Sequence, residues 1–161
     1  IAYEIKKNSK YTFLNTQINA ANKGYHNINN YHSIHSIVIN ESELRQELRD
    51  NTSNINDLAK ILIKKKKIEN LIITRGSDGV ILMNKDYKVF YCPAFAIKSI
   101  DKVGAGDAML SIVSLGLKLK LDPELVLFMG SLAAAISVES IGNKENITYQ
   151  KLDRILEYIL K

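Results

Sequence analysis

Two periods alternate along this chain. Short apolar runs give way to stretches in which leucine and isoleucine return every third or fourth residue. Residues 34–39 alternate less than an exposed strand would, and predict a buried parallel strand ending at Asn40. Asn40-Glu41-Ser42-Glu43-Leu44 then opens a helix with Leu44 and Leu48 on its inner face. Ser53 and Asn54 are the N-cap candidates of a second helix, with Ile55, Leu58, Ala59 and Leu62 on one side. Residues 71–74 form another buried strand, and Gly76-Ser77-Asp78-Gly79 turns the chain into 80–83. Asn84-Lys85-Asp86 turns it again, into 87–92, so these two strands predict a hairpin. The run 95–100 leads through two glycines into a helix over 108–117. Asp122-Pro123-Glu124 starts another: a cap, proline at the first helical position and an acid in the first turn. It carries residues 125–138, with small residues at 133–135 for close packing and an exit loop over 137–142. Leu152, Ile155, Leu156, Ile159 and Leu160 keep the helical period after Thr148. At the other end, residues 1–8 finish a helix, 11–14 make a short strand, and 15–30 are polar loop with one helical turn.

Strands alternating with helices predict an α/β fold: a doubly wound, mostly parallel sheet with helices on both faces and a flanking β-hairpin. No repeat, linker or internal boundary divides residues 1–161. Ligands of such sheets bind at the carboxyl ends of the strands. Asn40, Thr74 and Asp101 each fall at such an end, so three motifs share one rim.

Composition narrows the class. Apolar residues make up 46% of the 161, enough for a real core, yet no run reaches membrane-spanning length. The opening Ile-Ala-Tyr-Glu-Ile-Lys-Lys turns polar too early for a signal peptide. A single cysteine, Cys92, excludes an internal disulfide and suits the cytoplasm; in its apolar run it reads as a buried, inert thiol. Net charge is +5, with lysine at every position from 64 to 67. No aromatic residues interleave these lysines, so dipole complementation at a helix end is favoured over nucleic-acid binding. A basic protein also suits an anionic nucleotide and a phosphorylated product. His26, His32 and His35 lack a cysteine or well-spaced carboxylate and read as solvated loop histidines, not ligands.

The chemistry concentrates in Asp101-Lys102-Val103-Gly104-Ala105-Gly106-Asp107. Gly104 and Gly106 let the backbone turn tightly at the mouth of a helix. The N–H groups of Gly104, Ala105 and Gly106, with the positive end of the helix dipole, then make a phosphate-sized anion site. A carboxylate beside it, Asp107, is a poor phosphate ligand and a suitable proton acceptor for a hydroxyl. A dinucleotide fingerprint would want glycine where Met109 stands.

This stretch resembles the Asp-x-x-Gly-Ala-Gly-Asp signature of the ribokinase-like (PfkB) carbohydrate kinases, and the likeness spans nearly the whole chain in the family's motif order. It implies that Asp107 is the general base and that Gly104, Ala105 and Gly106 form the anion hole. It puts Asn40 and Glu43, an Asn-x-x-Glu, near the nucleotide's phosphates and the water shell of its Mg2+. It puts Thr74, Gly76, Ser77 and Gly79, within a Thr-x-Gly-x-x-Gly, along the nucleotide cleft. It gives a K+-type ion the Asp101 carboxylate and the carbonyls of Val103, Ser137, Ser140 and Gly142. Lys102 and Gly130 depart from the pattern; Gly130 stands about where an adenine-contacting side chain often sits, leaving base selectivity open. The resemblance implies the C-terminal half of a kinase whose sugar-binding N-terminal half and lid are missing. An exposed apolar sheet edge would then favour a homodimer. The implied activity is ATP-dependent phosphotransfer to a sugar or sugar phosphate, with the isolated chain inactive. The alternatives are a nucleoside or vitamin kinase, and a non-catalytic nucleotide-binding module. Nothing in these residues names the acceptor.

Overall fold

A computed structural model describes residues 10–15, 28–31, 33–95, 104–139, 148, 150, 153–154 and 156–157. The expected helix end at 1–8, most of the polar loop, the run 96–100 and much of the closing helix lie outside the described residues. The chain divides into two compact units. One comprises Ile1–Arg75 with Ile81–Phe90, the other Gly76–Val80 with Tyr91–Lys161.

The sheet holds β1 (Phe13–Asn15), β2 (Ser36–Asn40), β3 (Asn70–Thr74), β4 (Val80–Asn84) and β5 (Val89–Cys92), in that spatial order. β1, β2 and β3 are parallel. Between β2 and β3 the chain runs through α1 (Glu41–Leu48) and α2 (Ile55–Lys66), as a parallel connection requires. The Lys85 N–H donates to the Glu69 carbonyl at 2.7 Å, so the end of β4 lies beside the start of β3 and the two run antiparallel. A tight turn, with Tyr87 N–H on the Asn84 carbonyl, returns the chain as β5 and gives the expected hairpin. The fold is thus an open, mostly parallel α/β sheet.

Both faces of β2 and β3 are buried, which explains their unbroken apolar runs. Ile37, Ile39, Leu71 and Ile73 point to one side and pack with Leu44, Leu58, Ala59, Leu62 and Ile63 of the two helices. Val38 and Ile72, one residue out of step, are buried on the other. Each such side chain contributes about 1.5–3 kcal/mol of transfer free energy.

The second unit pairs α3 (Ala105–Lys118) with α4 (Pro123–Glu139). Asp122 caps α4 by accepting from the Glu124 and Leu125 N–H groups, as the Asp-Pro-Glu sequence predicts. Ala133 and Ala135 are buried, but the tightest approaches fall elsewhere. A Cβ at Gly116 would meet Val126 Cγ2 at 2.6 Å, and one at Gly130 would meet Met109 Sδ and Val113 Cγ2 at 2.6 Å. The Phe95 and Phe128 rings meet edge to face at 5.3 Å.

Three expectations are refined or corrected. α4 continues through Glu139, so Ser137 lies in its last turn and not in an exit loop, because the chain stays buried through Ile136 and Ser137. α3 begins at Ala105, ahead of the apolar pattern at 108–117, and has Asp107 in its first turn as expected, since the left-handed Gly104 serves as its N-cap. His35 is not a solvated loop residue. Its Nδ1 accepts the Thr12 N–H at 3.0 Å, its ring lies 4.7 Å from that of Tyr11, and its carbonyl accepts from Glu69.

Candidate active site

The expected site residues fall in both units. In the first, Asn40 and Thr74 are direct register partners at the carboxyl ends of β2 and β3. Asn40 also caps α1: its Oδ1 accepts the Glu43 N–H at 2.8 Å, and Glu43 Oε2 accepts the Asn40 N–H at 3.1 Å. This reciprocal box satisfies two N–H groups that the helix start would otherwise leave open. The Asn-x-x-Glu spacing therefore has a structural use of its own. It buries Glu43 and leaves Asn40 at the surface of the rim.

Immediately beyond these register partners lies a cluster that the sequence reading missed. Glu41 Oε2 accepts from Arg75 Nε at 2.9 Å; Glu41 Oε1 accepts from Arg45 Nη2 at 2.7 Å and Nε at 3.0 Å. Arg75, then Arg45, hold the Glu41 carboxyl below the usual glutamate range, against a smaller opposing effect of burial. The available signal was an acid one residue past Asn40 and a base one residue past Thr74. It becomes readable only once the register makes those positions neighbours.

In the second unit, Gly76–Asp78 form a tight helical turn closed by the Gly79 N–H on the Gly76 carbonyl at 3.2 Å. The two glycines differ in what they permit. A Cβ on Gly79 would strike the Cys92 carbonyl and come within 2.9 Å of Pro93 Cα, whereas one on Gly76 would meet nothing within 4 Å. Gly79 is thus required by packing of the chain on itself. Gly76 leaves open room, and Ser77 beside it is exposed.

Gly104 stands at φ 89° and ψ −13°, a left-handed conformation that side chains disfavour, and no side chain caps α3. The first-turn N–H groups of Ala105 and Gly106 lie at the positive end of the helix dipole, and the N-cap glycine offers them no side-chain acceptor. Asp107 follows in the same turn, exposed. Ser137 is buried in the last turn of α4. Asp101, Val103, Ser140 and Gly142 lie outside the described residues.

Cys92 is buried, and desolvation pushes its thiol up, with the Ser131 hydroxyl acting weakly the other way. Lys64, Lys65 and Lys66 occupy the last turn of α2, where positive charge complements the carbonyl end. Lys66 donates to the Ile28 carbonyl at 3.0 Å, and partial burial lowers its pKa. Among the described residues, His, Cys, Asp and Glu nowhere gather in threes as a metal site, and no helix is long and apolar enough to cross a membrane.

An open, mostly parallel α/β sheet with helices is also the fold of the solved ribokinases. The sequence matches the pfkB family carbohydrate kinases over residues 2–148, and the chain belongs to that family. It is 33% identical over 128 residues to the bifunctional protein HldE of Koribacter versatilis, covering 78% of this chain and 26% of that protein. The ribokinase of Thermotoga maritima superposes with a TM-score of 0.76 at 21% identity, over 96% of this chain and 52% of the other. The Arabidopsis thaliana ribokinase, solved with ribose and ATP, gives 0.67 at 21% identity over 78% of this chain and 41% of its own. The chain thus spans about a quarter of that first curated relative and about half of the Thermotoga ribokinase.

Proposed function

We propose that this chain is the C-terminal, nucleotide-binding part of a cytoplasmic kinase that transfers the γ-phosphoryl group of ATP to a hydroxyl of a sugar or sugar phosphate. The start of α3 carries the reading: Gly104 is left-handed and brings no side chain to the N-cap, and an exposed carboxylate stands in the first turn. Family membership and the ATP-bound Arabidopsis ribokinase support the choice of nucleotide and of a sugar-type acceptor.

In this reading Asp107 takes the proton of the acceptor hydroxyl. The freed oxygen lone pair attacks the γ-phosphorus as the bond to the ADP oxygen breaks. The N–H groups of Gly104, Ala105 and Gly106 take up the charge that develops on the phosphoryl oxygens. Thr74, Gly76, Ser77 and Gly79 line the nucleotide, and the open space at Gly76 fits a ligand passing close to the backbone. Mg2+ accompanying the nucleotide would neutralise phosphate charge. Asn40 and Glu43 would hold its water shell, an oxygen-rich arrangement that such a hard cation favours. Asp101, with the carbonyls of Val103, Ser137, Ser140 and Gly142, would hold K+ and brace the anion-hole loop. The Ser137 carbonyl, in the last turn of α4, fits an oxygen ligand.

Asp107→Asn in the full-length protein tests the assignment. It keeps the size and removes the proton acceptor, so turnover falls about 100- to 10,000-fold while nucleotide affinity barely changes. A variant with near-parental turnover overturns the base and most of the enzyme reading with it.

A further inference from the structure

The ladder between β2 and β3 ends at the pair Asn40 and Thr74. One residue further on, where no backbone pairing remains, the two segments are tied again by side chains, Glu41 Oε2 to Arg75 Nε at 2.9 Å. The side chains are 27% and 25% exposed, so water screens the pair only in part. Glu41 is held from behind by Arg45, four residues along the same helix, and Arg45 Nη1 donates to the Ser53 carbonyl at 3.0 Å. Glu41 therefore has little freedom to follow Arg75 if the loop moves. Arg75 is the last residue before Gly76, a left-handed glycine with open space where a Cβ would lie; the close packing of the turn begins only at Gly79, against Cys92 and Pro93.

We propose that Glu41 and Arg75 are positioning residues: their ion pair sets the direction in which residues 75–79 leave β3, and through it the affinity for nucleotide phosphates. The second half of this inference rests on the nucleotide reading above. Two guanidinium groups around one carboxylate leave the cluster with one surplus positive charge. Removing either arginine changes that charge equally, but only Arg75 belongs to the loop. The two can therefore be separated.

The experiment uses the intact protein and the variants Arg75→Met, Arg45→Met and Arg75→Lys. It follows backbone amide exchange over residues 76–79 and measures the affinity for MgATP by calorimetry, with a thermal melt of each variant as a check on folding. Arg75→Met should speed exchange at these amides about two- to fivefold and weaken MgATP by a similar factor. Arg45→Met frees Glu41 but keeps its bond to Arg75, so it should speed exchange at 76–79 clearly less than Arg75→Met does, and Arg75→Lys should recover part of both effects. Equal effects of Arg75→Met and Arg45→Met on the loop would overturn the proposal in favour of general electrostatics, and so would no effect of either. Faster exchange with unaltered MgATP affinity would overturn the link to the nucleotide. A parental protein that binds no MgATP would count against the nucleotide reading, while the exchange measurement would still decide the clamp.

Discussion

Asp107 and Glu41 show how far one residue's surroundings decide its use. An acid in the first turn of a helix stabilises it through the dipole, typically by about 0.3–1 kcal/mol. Asp107 therefore has a modest structural use beside the catalytic one proposed. The two separate by size, because loss of the dipole interaction alone would not lower turnover by orders of magnitude. Glu41 is held below its usual pKa first by Arg75 and then by Arg45. A depressed carboxylate contributes stability that is fully present above its unfolded pKa, about 4.3, and is lost as pH falls through the lower folded value. Glu41→Gln should accordingly cost about 1 kcal/mol at pH 7, and that difference should shrink below about pH 4. Denaturation of both proteins at pH 7 and pH 3 checks this; a pH-independent difference would mean that the ion pair contributes nothing.

Three of the five described non-glycine residues at positive φ lie at helix ends. α1, α2 and α3 are each followed by a basic residue in the left-handed region: Arg49 at φ 54°, Lys67 at φ 54° and, one residue beyond the α3 cap, Lys120 at φ 57°. At α3 the Leu121 N–H reaches the Gly116 carbonyl at 3.1 Å and the Lys120 N–H reaches that of Leu117 at 3.0 Å. This pattern closes many helices and usually employs glycine at the left-handed position. Lysine keeps a charge that suits the carbonyl end but accepts the cost of its Cβ. Lys120→Gly should stabilise the protein by about 0.5–1 kcal/mol, the relief of strain outweighing the added freedom of the unfolded chain. A denaturation midpoint that falls would refute the strain argument. The α3–α4 contact makes the opposite case. Gly130→Leu would drive a side chain into Met109 and Val113, and overpacking of this kind costs about 1–3 kcal/mol or more. The position that resemblance associates with the adenine base is thus held at glycine by helix packing. Base selectivity would have to come from other residues.

For the whole molecule, the first prediction concerns residues 1–161 as an isolated chain. It should bind MgATP weakly and phosphorylate no sugar, because in-line transfer requires the acceptor oxygen held within about 3–3.5 Å of phosphorus. In the proposed reading a preceding half and its lid would do that holding and exclude water. Calorimetry beside a sugar-panel assay checks both parts; strong phosphorylation by this chain alone would relocate the acceptor site into it. The second prediction is that the full-length protein should be faster in K+ than in Li+, with Asp101→Ala flattening the response. Equal rates in both salts would mean that the anion-hole loop needs no monovalent ion.

Much of this was settled in the chain itself. The buried strands at β2 and β3 follow from apolar runs that only a two-faced burial could use, and the caps at Asn40, Asn54 and Asp122 from side chains that bond their own helix starts. The helix mouth at Gly104–Asp107 was legible for the same reason: glycine, dipole and carboxylate act within one turn. Sequence erred where a local signal was weak, assigning Ser137 to the exit loop at the end of α4 and leaving His35 in solvent. Only the tertiary structure made Asn40 and Thr74 neighbours, wired His35 to Thr12 and Glu69, and drew Arg75 to Glu41. Register joins residues 34 positions apart, and no local propensity encodes that choice. It is decided by how the side chains on the two buried faces of β2 and β3 fit the elements packed against them, because strands apolar on both faces carry no alternation that fixes the register by itself.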